Sequence, residues 1–419
     1  MVDLRNIQML PDNAQFEIHE SDRKFAESLM RDIIERCPKR SPGSRDEFRA
    51  QILLRRQLER FGGKPSMRRF CFSDSLYLTL GVHFALATFA SIAYLVQPIV
   101  AALLHAFVAI SYWGDSNRHF YLLRRLLPKV RSRNLLVTYP AAERIRRRIV
   151  ITAHADAAPT GWMFRQWGLT PVDKTRRLGR PLLVALIGLI FTAIVDLVAA
   201  TNLKVWFGVE ILYLCITLYF SILATLNLQT WWGKQTVPGA NDNLSGCVAL
   251  PILAKRLRQR LDRDVELIVI VTGCEETGTG GAYELAKELR HEWNRENTDV
   301  IVLDCIGKGE LCLFQEGEII PWRIPERLKA TAIEVAGEMT TSGNVRVFRL
   351  PAGSTDAIAF LAHGFAAIGI GRIDFHLKTP HNYHLPSDIP DNIDFVQLIN
   401  TLDYVERLAL RLGCDSTRV

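Results

Sequence analysis

Acids and histidines recur in this 419-residue chain where β-branched runs end. His154 closes Ile149-Val150-Ile151-Thr152-Ala153-His154, with Asp156 two residues on. Asp242 stands in Val237-Pro238-Gly239-Ala240-Asn241-Asp242-Asn243-Leu244-Ser245-Gly246, a Gly- and Pro-punctuated loop running into an apolar-periodic helix. Glu275 and Glu276 follow Val271-Thr272-Gly273-Cys274, Asp304 follows Val302-Leu303, and His384 opens His384-Leu385-Pro386-Ser387-Asp388. Imidazole nitrogens and carboxylate oxygens are donors that zinc takes. Each motif alone has a bland reading: an Asp ahead of a helix is an ordinary cap, and H-x-D or E-E arises by chance. Five such motifs in one chain carry more weight than any one.

The ordered set resembles the di-zinc aminopeptidase family, the clan MH exopeptidases, whose relatives include plasma glutamate carboxypeptidase and the glutaminyl cyclases. The resemblance begins near Arg40-Ser41-Pro42-Gly43-Ser44-Arg45-Asp46-Glu47 and runs to about Leu412, two apolar inserts excepted. It implies two zinc ions per chain, one held by His154 and Asp304, the other by Glu276 and His384, with Asp242 bridging both. His384 is chosen over its neighbours His376 and His381 because Tyr383 to Asp388 resembles the family's ligand loop. Glu275 becomes the general base acting on a water. Asp156, on the same strand face as His154, is placed to accept from that ligand's other ring nitrogen. On a strand end Glu275 and Glu276 point to different sides, so one can bind metal while the other faces the water. Ser354 to Phe360 resembles the family's serine-aspartate segment, with Ala357 where a histidine is often found.

The implied activity is hydrolysis of peptides, with aminopeptidase as the leading form. Cyclisation of N-terminal Gln and carboxypeptidase action are the alternatives on the same fold, the second needing a cation such as Arg372 for the substrate carboxylate. An inactive membrane scaffold is the alternative of another class. Retention of Glu275 with all five ligand positions argues against it, because clustered acids repel one another in a metal-free fold.

The elements that must position these residues alternate. Strands are expected over 67–72, 134–138, 148–153, 265–272, 300–303, 345–350 and 366–370, with 134–138 and 148–153 adjacent. Helices are expected over 22–37, 46–61, 282–293, 325–339, 355–363 and 395–412, and Ser44 with Glu47 forms a capping box. The fold class is α/β, a three-layer α/β/α sandwich with a largely parallel sheet and ligands at strand carboxyl ends. Cys274 and Cys305 read as core residues.

Two apolar stretches interrupt the pattern. Leu76 to Val96 is a 21-residue run without Asp, Glu, Lys or Arg, about 31 Å long as a helix. Ile99 to Trp113 resumes it after Gln97-Pro98, and a second pair spans Leu182–Ala200 and Val205–Leu226, with Asp196 and Glu210 inside. The expected organisation is peptidase sequence over 1–75, 114–180 and 227–419, with transmembrane hairpins at 76–113 and 181–226. Basic residues flank the hairpins and only Lys204 marks a tip, so the positive-inside rule points to an integral protein of the inner or plasma membrane with its catalytic part facing the cytoplasm.

The net charge of +7 is therefore assigned to a membrane surface and no nucleic-acid partner is expected, since no module interleaves aromatics with bases. Eight scattered cysteines without C-x-x-C spacing read as reduced thiols, and no apolar leader segment is recognised at the start. Oligomeric state has no sequence signal.

Overall fold

The computed structural model describes residues 12–164, 180–201, 203–339 and 345–414. In chain order the elements are α1 (Asp12–Arg36), α2 (Arg45–Glu59), β1 (Lys64–Ser73), α3 (Leu76–Ala93), α4 (Pro98–Ser116), β2 (Lys129–Tyr139), β3 (Arg147–His154) and β4 (Pro159–Thr160). Then come α5 (Pro181–Ala200), α6 (Phe207–Gly233), β5 (Gln235–Thr236), α7 (Ser245–Leu257), β6 (Val265–Thr272), α8 (Gly280–Glu292) and β7 (Thr298–Leu303). The chain closes with β8 (Glu310–Phe314), α9 (Glu326–Gly337), β9 (Arg346–Phe348), α10 (Ala357–Ala362), β10 (Ala366–Ile373) and α11 (Phe395–Cys414).

An eight-stranded sheet in the order β1-β2-β6-β3-β7-β10-β8-β9 organises the molecule. Its centre, β6-β3-β7-β10, is parallel, and antiparallel pairs flank it at β1-β2, β2-β6 and β10-β8. The expected neighbours 134–138 and 148–153 are not adjacent: β6 lies between them, with Leu135 opposite Val271 and Thr152 opposite Ile270. Hydrophobic pattern identifies a strand, and only the assembled sheet fixes its partner.

Strand alternation sorts the core into two layers. Ile149, Ile151, Val269, Val271, Ile301 and Leu303 face a layer built from α1, α2, α7, α9 and α11. Val150, Ile268, Ile270, Val300 and Val302 face α8 and α10. That is the three-layer α/β/α sandwich expected. The short strand β8 was not foreseen.

The two inserts fold as helical pairs that pack on each other. Leu80, Phe84, Ala87, Val108, Tyr112, Ala185, Leu189, Phe220 and Ala224 form a buried seam shared by α3, α4, α5 and α6. Helices α4 and α6 end later than expected, at Ser116 and Gly233 rather than 113 and 226. All four are long and apolar enough to cross a membrane. Away from the seam they expose large apolar side chains, among them Leu103, Ile187, Leu214 and Leu218, which is the reverse of a soluble surface. Asp196 is fully buried in the seam between His105 Nδ1 at 2.6 Å and Tyr213 Oη at 2.8 Å. Glu210 sits in the first turn of α6 and is exposed, so only Asp196 is interior.

Candidate metal centre

Parallel strands ending side by side bring the sequence motifs together. His154 is the last residue of β3, and β6 and β7 flank that strand, so the segments after Thr272 and Leu303 emerge next to it. Asp242 arrives from the loop ahead of α7, with non-helical backbone (φ −111°, ψ 90°), rather than from the helix itself. His384 comes from a distant loop and has φ 55°. All seven residues singled out by sequence are buried: His154, Asp156, Asp242, Glu275, Glu276, Asp304 and His384.

Asp242 is the centre of the cluster. Its Oδ1 lies 3.2 Å from His154 Nε2 and its Oδ2 lies 3.3 Å from His384 Nε2, which is also 3.5 Å from Glu276 Oε2. Three sets of donor atoms converge to within 4.8 Å: His154-Asp242-Asp304, Asp242-Glu276-His384 and His154-Glu275-Glu276. The first two share Asp242.

The donor set calls for a cation. Glu276 Oε1 is buried and lacks a hydrogen-bond partner, a costly state unless something electropositive satisfies it. The acids also crowd one another. Burial raises Glu275 and Glu276 well above the usual carboxylate range, with neighbouring acids adding to the shift. Asp304 is pushed up to about 7 by burial and then by Asp242. Asp242 is held below the usual range because, against the effect of burial, His154 and His384 flank it. Burial would lower His154, but Asp156 and Asp242 beside it raise it well above an ordinary histidine. Side chains that cannot all ionise together form a site that fits divalent ions.

Asp156 takes a different place from the one expected. His154 Nδ1 lies 3.1 Å from the backbone carbonyl of Asp156, while the nearer carboxylate oxygen is 3.6 Å away. The carboxylate instead accepts from the backbone N–H groups of Glu275 (3.0 Å) and Glu276 (2.9 Å). Those two glutamates occupy a short 3₁₀ turn, Glu275–Thr277, and not a strand end. Their separation therefore comes from the turn that Asp156 anchors.

Three supporting residues were missed or read too locally. Glu47 does close a cap, its N–H donating to Ser44 Oγ at 3.1 Å, but its carboxylate accepts from Gly43 N–H, Ser132 Oγ and Cys274 N–H at 2.7–2.9 Å. It thereby fixes Cys274, whose φ of 55° starts the glutamate turn, and burial pushes its own carboxyl up to about 8. Arg40 is fully buried and donates to the carbonyls of Ala155, Pro238 and Gly239, joining the His154 and Asp242 loops. Gly239 has φ 63°, and a Cβ there would meet Asp242 O at 2.6 Å and Arg40 Nη2 at 2.9 Å. Asp388 holds the Asp242 backbone as Asp156 holds the glutamates. The only signal for it was its position at the end of the His384 motif.

Other expectations resolve as follows. Arg372 is buried in β10 and donates to Thr401 Oγ1 and Gly309 O, so it is not free to meet a substrate carboxylate. His376 is exposed and His381 half-buried near Asp374. Asp356 accepts from Thr272 Oγ1 at 2.5 Å. Phe164 packs 4.7 Å from the His384 ring. Cys274 and Cys305 are buried free thiols.

The family model of peptidase family M28 matches residues 228–409, which hold Asp242, Glu275, Glu276, Asp304 and His384. No curated protein matches the sequence. Among solved structures, the zinc aminopeptidase BSAP from Bacillus subtilis superposes with a TM-score of 0.55 at 13% identity, covering 92% of this chain and 94% of its own. A Zn-dependent exopeptidase from Parabacteroides distasonis gives 0.54 at 14% identity, covering 93% and 97%. A glutaminyl cyclase from Fimbriiglobus ruber gives 0.54 at 14% identity, covering 93% and 95%. At such identities the likeness is one of fold.

Proposed function

From the premise of a zinc metallopeptidase with an M28 peptidase domain over residues 228–409, we propose that this chain is a membrane-anchored di-zinc exopeptidase acting as an aminopeptidase. The observation that carries the reading is Asp242, with a histidine nitrogen near each carboxylate oxygen at 3.2 and 3.3 Å. His154 and Asp304 would hold one ion and Glu276 and His384 the other, with Asp242 placed between the two sets. Three carboxylates would then offset part of the charge of two divalent ions. When bound, zinc supplies Lewis acidity toward the scissile carbonyl and makes a water easier to deprotonate.

The chain's own residues do the rest. Glu275 takes the water's proton and returns it to the leaving amine. Asp156 holds the turn that carries Glu275 and Glu276 through their backbone N–H groups, which fixes where both side chains start. Burial of the cluster excludes bulk water and strengthens each charge interaction there. The four apolar helices anchor the protein in the inner or plasma membrane as two hairpins, and the basic flanks put the catalytic part on the cytoplasmic side.

The test is metal analysis of the purified full-length chain together with a peptide panel. Two zinc ions per chain, and release of the first residue from a Leu-initiated peptide that stops with chelator and returns with zinc, are expected. Cyclisation of an N-terminal Gln peptide without hydrolysis would assign cyclase chemistry instead. A zinc-loaded protein inert to every peptide would favour the scaffold.

A further inference from the structure

One contact crosses from the helical inserts to the metal centre. Tyr77, in the first turn of α3, lies with its hydroxyl 3.1 Å from His384 Nδ1. Both residues are buried. Phe164 closes the contact from the side, its ring 6.0 Å from Tyr77 at 88° and 4.7 Å from His384. Tyr383 stacks on the His384 ring at 3.9 Å. The imidazole is thus confined by two aromatic rings and by one hydrogen bond at its far nitrogen.

We propose that Tyr77 is a positioning residue of the metal centre, contributed by the first apolar hairpin. The inference rests on reading His384 as a zinc ligand. A histidine has one proton for two nitrogens when neutral, and the bond at one nitrogen decides the state of the other. With Nδ1–H donating to the Tyr77 oxygen, Nε2 keeps its lone pair and faces Asp242 Oδ2 and Glu276 Oε2. A carboxylate or carbonyl commonly fills this supporting place; here a phenol does. No other side-chain oxygen among the described residues is recorded bonding His384 Nδ1. The hairpin therefore supplies a part of the centre, and the peptidase domain alone leaves His384 without its orienting bond.

A second set of contacts supports the same junction. Arg124, just after α4, forms a bidentate pair with Asp115 and donates to the carbonyl of Thr277, the residue after Glu276. Arg118 donates to Thr279 Oγ1 at 3.1 Å and Glu318 Oε1 at 2.9 Å. Both ends of the first hairpin thus meet the zinc-binding segments, one at His384 and one behind Glu276.

The experiment uses full-length protein in lipid nanodiscs, stripped of metal and titrated with zinc against a fluorescent chelator. Tyr77→Phe removes only the hydroxyl. One of two zinc-binding steps should weaken by roughly ten- to hundredfold, with the other step and the unfolding midpoint of the zinc-free protein unchanged. The cobalt-loaded variant should show a shifted visible absorption band. In a His384→Ala background, Tyr77→Phe should have no further effect on zinc affinity. Equal affinities of Tyr77→Phe and wild type would overturn the proposal, as would the same loss of affinity in both backgrounds, which would mark a general fold effect. A wild-type chain that binds no zinc would bring down the metal-centre reading itself and this inference with it, and neither outcome needs a peptide substrate.

Discussion

Asp388 holds Asp242 by the backbone: its Oδ2 accepts from the Asp242 N–H at 3.0 Å while Oδ1 accepts from Asn241 N–H at 2.7 Å. The Asp242 carboxylate is left free to face both histidines. Asp388→Asn keeps the shape but sets an amide NH₂ against one backbone donor. We expect a loss of about 1–3 kcal/mol in stability from the unsatisfied N–H and roughly ten- to hundredfold weaker zinc binding. Thermal unfolding with and without zinc measures both, and an unchanged zinc affinity would mean that Asp242 needs no such support.

Glu275 and Glu276 share one turn and one anchor in Asp156, yet their proposed roles differ. Glu275→Gln should keep both zinc ions and lose roughly two to four orders of magnitude in turnover, with peptide binding largely preserved. Glu276→Gln should lose zinc affinity and recover part of its activity at high zinc concentration. Single-turnover hydrolysis with metal analysis distinguishes them; the reverse pattern would exchange the roles.

Orientation of the hairpins is open to labelling. In a background without native cysteines, a cysteine at Gln97 or at Leu203 should react with an impermeant reagent from outside the cell, and one at Lys308 should not. Arg118 and Arg124, among the basic residues that follow the first hairpin, are buried in ion pairs and so add little flanking charge. The exposed Arg125, Lys129 and Arg131 remain as flanking charge. Labelling at Lys308 alone would invert the topology.

Asp196 ties three helices through His105 and Tyr213. Asp196→Ala strands both partners, and we expect the helical bundle to lose about 1–2 kcal/mol in a detergent unfolding titration while zinc content stays at its wild-type value. A fall in zinc content with an unchanged bundle would show that this acid serves the catalytic part.

What the sequence made readable rested on a local period or a distinctive residue. Ile149 to His154 announces a strand with a donor at its end, and Leu76 to Val96 announces an apolar helix by length alone. What it hid depends on contacts between distant segments. Glu47 looks like half of a capping box, and nothing nearby in sequence says that its carboxylate reaches Cys274, 227 residues away. Asp156 has the spacing of a histidine partner, yet its carboxylate bonds the backbone of a turn more than a hundred residues on. Tyr77 is one aromatic in an apolar run, and its hydroxyl matters only because His384 returns to it from the far end of the chain. The neighbour of β2 was misjudged for the same reason: strand pairing obeys the sheet and not the order of synthesis.

The place of β6 between β2 and β3 sets a timetable for making the protein. Neither strand can gain its central partner until Val265 to Thr272 has been synthesised, and by then both apolar hairpins have already left the ribosome. The first 154 residues thus wait with unpaired strand edges, and closing the sheet brings together segments from opposite ends of the chain, which is slow and leaves apolar surface open to aggregation. Seating the two helical inserts against each other before that point, along the seam they share, would gather the flanking segments at one place and shorten that search.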